Sequence, residues 1–143
     1  MQLRHVGIVC EDLEETLNFY IQWFGCSVSR MMDESGDFIS KILSYDKAEV
    51  RTVKLNFPEG DAQIELLHFK KPLMNSSFVN LTSKGITHFA IKVKNLTELY
   101  HKMIQDGVVF LSEPKISDDK AAKVCFCRDP NGAYIELVEL LNA

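Results

Sequence analysis

No run of apolar residues in this chain approaches the about 18 that a helix needs to cross a bilayer, which excludes a helical membrane span. Lysines and arginines are scattered without a stripe or cluster, and the formal net charge is −4. Neither nucleic acid nor an anionic membrane surface is therefore expected as a partner. There is no C-x-x-C pair. Cys10, Cys26, Cys125 and Cys127 are dispersed, and the last two share one face of a strand-like stretch. That spacing suits neither a disulfide frame nor a thiolate metal site, so the four are read as small apolar filler. A charged segment leading into an apolar one is also missing from the start, where the pattern enters a strand at once. A cytoplasmic protein is expected. At 143 residues, with 46% apolar and 25% charged residues, the chain can bury most of a core without disulfides or a structural metal.

What the chain does contain is an internal echo. Residues 5–15 read His-Val-Gly-Ile-Val-Cys-Glu-Asp-Leu-Glu-Glu, and residues 88–98 read His-Phe-Ala-Ile-Lys-Val-Lys-Asn-Leu-Thr-Glu. Asp61-Ala62-Gln63-Ile64-Glu65-Leu66-Leu67 is matched by Gly132-Ala133-Tyr134-Ile135-Glu136-Leu137-Val138. Each copy opens on a histidine and closes on a glutamate. A tandem duplication folded about a pseudo-twofold axis would bring His5, Glu65, His88 and Glu136 to one place. Two imidazoles and two carboxylates together make a metal site.

Local signals give each copy a βαβββ pattern. Leu3 to Cys10 reads as a strand, after which Asp12 and Glu15 form a capping-box spacing. Leu13, Leu17, Tyr20 and Phe24 make one apolar helical stripe, and Gly25 stands where a left-handed residue ends a helix. The second copy repeats this: Asn95 as cap with Glu98, Leu96, Tyr100 and Met103 as stripe, Gly107 as stop. Strand candidates follow at 26–32, 50–57 and 62–69, then at 108–111, 122–128 and 133–140. The expected fold class is α+β: two tandem modules, about 1–69 and 85–143, joined by a polar linker at about 70–84. They are expected to form a curved mixed sheet, a cup with the helices on its outer face. Residues 33–49 carry a short apolar helical pattern (Phe38, Ile39, Ile42, Leu43), readable as a patch on the sheet edge or as a flap over a pocket.

Strand parity then sorts the side chains. Ile64 and Leu66, Ile135 and Leu137, and Phe89, Ile91 and Val93 make aliphatic faces that should pack on the helices. Glu65 and Glu136 point to the other side, where His5 neighbours Gly7 and His88 neighbours Ala90. Burying an unpartnered carboxylate costs several kcal/mol, and two of them repel as well. Arg4 and Arg51 lie on strand-like stretches, but neither recurs in the other copy, and Arg4 opposes His5 in parity. Histidines do recur. They are poor counter-charges at pH 7 and good metal donors, so a dication explains the pattern best. His68 opposes Glu65 in parity and His101 lies in a surface helix; neither is expected to bind the ion. The aromatic run Phe19, Tyr20, Trp23 and Phe24 reads as helix packing.

The paired modules resemble the vicinal oxygen chelate superfamily, which includes glyoxalase I, methylmalonyl-CoA epimerase, extradiol dioxygenases and bleomycin-resistance proteins. The resemblance rests on His5-Val6-Gly7-Ile8, Phe19-Tyr20, Phe24-Gly25, Gly85-Ile86-Thr87-His88-Phe89-Ala90, and Arg128-Asp129-Pro130-Asn131-Gly132 leading to Glu136. It implies one divalent ion (Zn, Ni, Co, Mn or Fe) held by His5, Glu65, His88 and Glu136, with a carbonyl substrate polarised and an enediolate or enolate stabilised. Glu136 is the first candidate for the catalytic base and Glu65 the second. The implied partner is a small molecule with vicinal oxygens or a thioester, for which Lys92, Lys120 and Lys123 are candidate cations at the cup's mouth. A homodimer is implied too. Stretches around 65–73 and 85–90 look closer to the epimerase than to glutathione-dependent glyoxalase I, although the strand at 51–57 lacks the acid an epimerase carries. The alternatives are an Fe(II) extradiol-type dioxygenase and a metal-free binding protein of the bleomycin-resistance kind.

Overall fold

The computed structural model describes residues 1–142, so the final residue of the expected second module lies outside the described residues. The chain divides into two compact units, Met1–Ser77 and Phe78–Ala143. Each has its own four-stranded mixed sheet. Among the described residues no helix is long and apolar enough to cross a membrane.

The first unit runs β1 (His5–Val9), α1 (Leu13–Phe24), β2 (Ser27–Ser35), α2 (Asp37–Leu43), β3 (Glu49–Asn56) and β4 (Gln63–Lys71). Helix α1 starts because Asp12 is extended and its Oδ1 accepts the Glu15 N–H at 2.9 Å. It stops at Gly25, whose φ of 67° is open to glycine at little cost. Its buried residues are Thr16, Phe19, Tyr20 and Phe24, while Leu13 and Leu17 are half-buried. The buried stripe is thus rotated from the one the leucines mark, because the Phe19, Tyr20 and Phe24 rings pack on one another. Strand order is β1-β4-β3-β2, with β1 parallel to β4 and the other pairs antiparallel. Ile64 and Leu66 of β4 and Val53 and Leu55 of β3 are buried, as period-2 alternation requires of a face covered by a helix.

The register places Val50, Thr52 and Lys54 of β3 on one face with Glu65, Leu67 and Phe69 of β4. Helix α2 packs on this face. Its Ile39 is buried with Ala48 and Val50, and Leu43, Leu67 and Phe69 close around them. The segment is therefore a cover on the sheet face that carries Glu65, not a patch on an edge, and Phe38 and Ile42 remain exposed.

The second unit runs β5 (His88–Lys92), α3 (Leu96–Gln105), β6 (Lys115–Ile116), β7 (Ala122–Arg128) and β8 (Tyr134–Leu140), in order β5-β8-β7-β6. Two expectations need correction. The strand expected at 108–111 shrinks to an isolated bridge from Phe110 to Cys127, flanked by Leu111 N–H to Phe126 O and Arg128 N–H to Val109 O. Pro114 lacks the N–H that a continuing ladder needs, so pairing resumes only briefly in β6. The second correction concerns α3. Asn95 is left-handed (φ 52°) and its side chain makes no cap bond. Glu139 of β8 instead accepts the Leu96 N–H at 3.0 Å. The apolar stripe itself is as expected, with Leu96 and Met103 fully buried and Gly107 positive in φ.

All four cysteines are free and buried. Cys125 and Cys127 lie across from the buried Leu137 and Ile135, filling the helix side of the second sheet.

Candidate metal centre

Each unit brings one expected histidine to one expected glutamate by the same construction. In the first, β1 and β4 pair in parallel with His5 opposite Gln63 and Gly7 opposite Glu65. His5 and Glu65 are thus diagonal neighbours on one face, and Gly7 between them has no side chain to intrude. His5 Nε2 lies 3.8 Å from Glu65 Oε2. In the second unit His88 stands opposite Tyr134 and Ala90 opposite Glu136, and His88 Nε2 lies 3.5 Å from Glu136 Oε2. His5, Glu65 and Glu136 are half-buried, whereas His88 is exposed. The identical register is the structural form of the sequence echo.

The positions facing the two glutamates differ. Lys54 is the β3 partner of Glu65, and its Nζ is 3.8 Å from Glu65 Oε2. Phe126 is the β7 partner of Glu136, and its ring meets that of His88 edge-on at 5.2 Å. Reading the sequence missed Lys54 as a counter-charge. Parity alone tells which way a side chain points along its own strand; only the β3–β4 register puts Lys54 on the face of Glu65.

Other candidates fall elsewhere. His68 Nδ1–H donates to the Cys10 carbonyl oxygen at 3.0 Å, a structural bond on the helix side. His101 is exposed on α3 beside Tyr100. Arg51 forms a bidentate pair with Asp33 (Nε to Oδ1 2.7 Å, Nη2 to Oδ2 2.8 Å), and parity puts it on the face opposite Glu65. Lys123, expected at the mouth of the site, instead lies 3.5 Å from Glu139 and donates to Thr97 Oγ1 on the α3 side. Lys120 sits in a turn with positive φ. Lys92 shares the parity of His88 and stays exposed.

The donor set of each pair, one imidazole nitrogen and one carboxylate oxygen, fits a borderline divalent ion. The second ring nitrogens behave differently. His88 Nδ1 shares a 3.1 Å hydrogen bond with the Thr87 hydroxyl, whereas His5 Nδ1 is buried without a partner. Ligating imidazoles usually have that second nitrogen satisfied, so His88 is the better-oriented donor. Among the described residues no group of three or more His, Cys, Asp or Glu stands close enough to hold a metal ion. Each unit by itself therefore contributes two donors.

A duplicated βαβββ unit, with a histidine on the first strand diagonal to a glutamate on the last, defines a class of small α+β proteins built from paired modules. The sequence model of the Glyoxalase/Bleomycin resistance protein/Dioxygenase superfamily matches residues 2–137, and the chain belongs to that superfamily. It is 26% identical over 143 residues to a lactoylglutathione lyase from Schizosaccharomyces pombe, covering 96% of this chain and 47% of that protein. The chain thus spans about half the length of that relative. A probable lactoylglutathione lyase from Synechocystis is 26% identical over 141 residues, 97% of this chain and 95% of the relative. Among solved structures, a glyoxalase family protein from Bacillus cereus superposes with a TM-score of 0.88 at 19% identity, over 99% of this chain and 95% of that one. The trypanothione-dependent glyoxalase I of Leishmania major gives 0.69 at 22% identity, over 97% and 86%.

Proposed function

We propose that this chain is a metal-dependent lyase or isomerase of the glyoxalase I or methylmalonyl-CoA epimerase type. It would act on a small molecule with vicinal oxygens or a thioester. The observation that carries the reading is the matched pair of His–Glu diagonals, set by the same parallel register in both units. His5, Glu65, His88 and Glu136 would hold one divalent ion (Zn, Ni, Co, Mn or Fe), in a homodimer. Bound there, such an ion supplies Lewis acidity toward a substrate carbonyl and charge stabilisation for the enolate that follows proton removal. The proton itself is the protein's task. Glu136 is the assigned base, because the position facing it is an aromatic ring and its oxygens are not shared with a lysine. Glu65 faces Lys54, whose Nζ is 3.8 Å from its Oε2, and is the second candidate. Phe126 packs edge-on against the His88 ring beside the Glu136 carboxylate.

Metal identification on protein purified without chelators tests this, followed by solvent-deuterium incorporation into 2-oxo-hemithioacetals and 2-methyl-branched acyl thioesters. Near-stoichiometric metal and exchange in one of these classes are expected. Less than about a tenth of an equivalent of any transition ion, without exchange, would overturn the reading in favour of a binding protein. Glu136→Gln should keep the metal and lose most turnover, whereas His5→Ala or His88→Ala should lose the metal. Equal metal loss in all three removes the case for a separate base.

One observation favours a second reading. Lys54 already neutralises part of Glu65, so His5, His88 and Glu136 alone would form the two-histidine, one-carboxylate set of an Fe(II) extradiol-type dioxygenase. Full iron retention in Glu65→Gln together with oxygen uptake on a catechol would select it.

A further inference from the structure

The Arg-Asp-Pro-Asn-Gly segment contains a cation that the proposed chemistry does not use. Arg128 ends β7 opposite Tyr134, two residues along from Phe126, which faces Glu136. Alternation therefore puts Arg128 on the same face as Glu136, roughly 7 Å along the strand. Its guanidinium rests against two rings, with Cζ 4.6 Å from the Tyr134 centroid and 5.0 Å from that of Phe78. Nη2 donates to the Tyr134 hydroxyl at 2.5 Å. Arg128 Nε is buried and has no acceptor. Among the described residues no carboxylate pairs with this side chain. Both rings and all the other groups named belong to one compact unit.

A half-buried guanidinium clamped by aromatic rings is oriented but not neutralised. Rings hold a cation by its flat face; with Nε buried and Nη2 already donating one hydrogen to Tyr134, the fork left for a planar carboxylate is the terminal Nη1–Nη2 end. The geometry points to Arg128, held by Phe78 and Tyr134, as a subsite for the carboxylate of an anionic substrate whose reacting carbon lies at Glu136. This rests on the reading of Glu136 given above, and it narrows the substrate to a carbonyl compound with a carboxylate a few bonds from the reacting centre. The carboxylate can belong to the carbonyl compound itself or to a thiol carrier to which it is joined.

The test uses the full chain, with malonate as dianionic probe and malonamide as its neutral counterpart. Binding is read from the Arg128 side-chain N–H resonance and from calorimetry. Malonate should shift that resonance and malonamide should not, and Arg128→Gln should weaken malonate by at least about tenfold, the size of a lost charged hydrogen bond. Arg128→Lys keeps the charge but loses the fork, and should fall between the two. Phe78→Leu lies outside the sheet, where Phe78 is exposed, and should weaken malonate while leaving the fold intact. Equal affinity for malonate in wild type and Arg128→Gln, equal response to malonamide, or no response to malonate at all overturns the subsite. Pyruvate and glutathione then separate the two sources: a shift with pyruvate assigns the carboxylate to the carbonyl compound, and a shift with glutathione assigns it to the carrier. Malonate binding that persists in a protein unable to take up metal supports the subsite while sinking the metal-dependent reading.

Discussion

Glu139 should hold the start of α3, although nothing near it in sequence marks it as a cap. Its Oε2 accepts the Leu96 N–H at 3.0 Å and lies 3.5 Å from Lys123 Nζ. A side-chain acceptor on a first-turn amide contributes about 0.5–2 kcal/mol. The ion pair adds about 0.5 kcal/mol after screening, because both side chains keep about a fifth of their exposure. Glu139→Ala should therefore cost about 2 kcal/mol, or about 4–8 °C in Tm for a chain of this size. Urea melts followed by far-UV circular dichroism measure the cost, and hydrogen exchange at the Leu96 amide localises it. The control is Asn95→Gly. Asn95 is left-handed and makes no cap bond, so glycine there should be neutral or stabilising by a few tenths of a kcal/mol. If Asn95→Gly costs as much as Glu139→Ala, or if Leu96 exchange is unchanged in Glu139→Ala, the side chain that caps α3 is not Glu139.

Three further outcomes follow from the same contacts. Lys54→Met removes a cation beside a donor oxygen and should tighten divalent-ion uptake by about fivefold, corresponding to about 1 kcal/mol of screened repulsion; weaker uptake in a chelator competition would assign Lys54 a purely structural role. Burial pushes the Cys26 and Cys125 thiols up to about 11 and Cys127 up to about 12, from an ordinary 9.0. The unfolded chain therefore sheds these protons first, so their contribution is intact below pH 9.0 and stability drops between 9.0 and about 11–12; native protein should resist iodoacetamide at pH 8 and react once unfolded. The Arg51 hydrogen bonds hold the Asp33 carboxyl below its ordinary 3.8, so the pair's contribution is present above that value and lost as pH falls through the lower folded-state midpoint. In Arg51→Ala the NMR titration of Asp33 should return toward 3.8, and an unmoved midpoint would dissociate the shift from the arginine.

How much of this was legible depended on whether a feature is local. Asp12, Glu15 and Gly25 delimit α1 through bonds within a few residues, and the sequence marks them correctly. The spacing around Asn95 looks alike, yet its cap comes from Glu139, on a strand more than forty positions away. No local pattern encodes that. The strand expected at 108–111 failed for the converse reason: Val108, Val109, Phe110 and Leu111 have the right propensity, but pairing depends on what β7 offers and on Pro114 beyond. At the candidate site, parity sufficed to put His5 with Gly7 and His88 with Ala90 and to set His68 apart. Finding Lys54 required the register of two strands, which alternation does not specify.

That distinction bears on what the duplication fixed. Slipping either parallel pair by one residue would turn its histidine and glutamate to opposite faces, so a His–Glu diagonal survives only while the register of β1 on β4 and of β5 on β8 is kept. The antiparallel neighbour of each glutamate carries no such constraint, because any side chain there leaves the diagonal in place. One copy has Lys54 at that position and the other Phe126. A lysine offers a positive charge to the carboxylate it faces, and a ring offers none. Two glutamates in equivalent backbone positions thereby face different neighbours, a lysine in one unit and an aromatic ring in the other. Arg128 extends the difference, since the strand that supplies the ring at 126 also supplies the clamped guanidinium two residues on, and β3 places Asn56 two residues beyond Lys54.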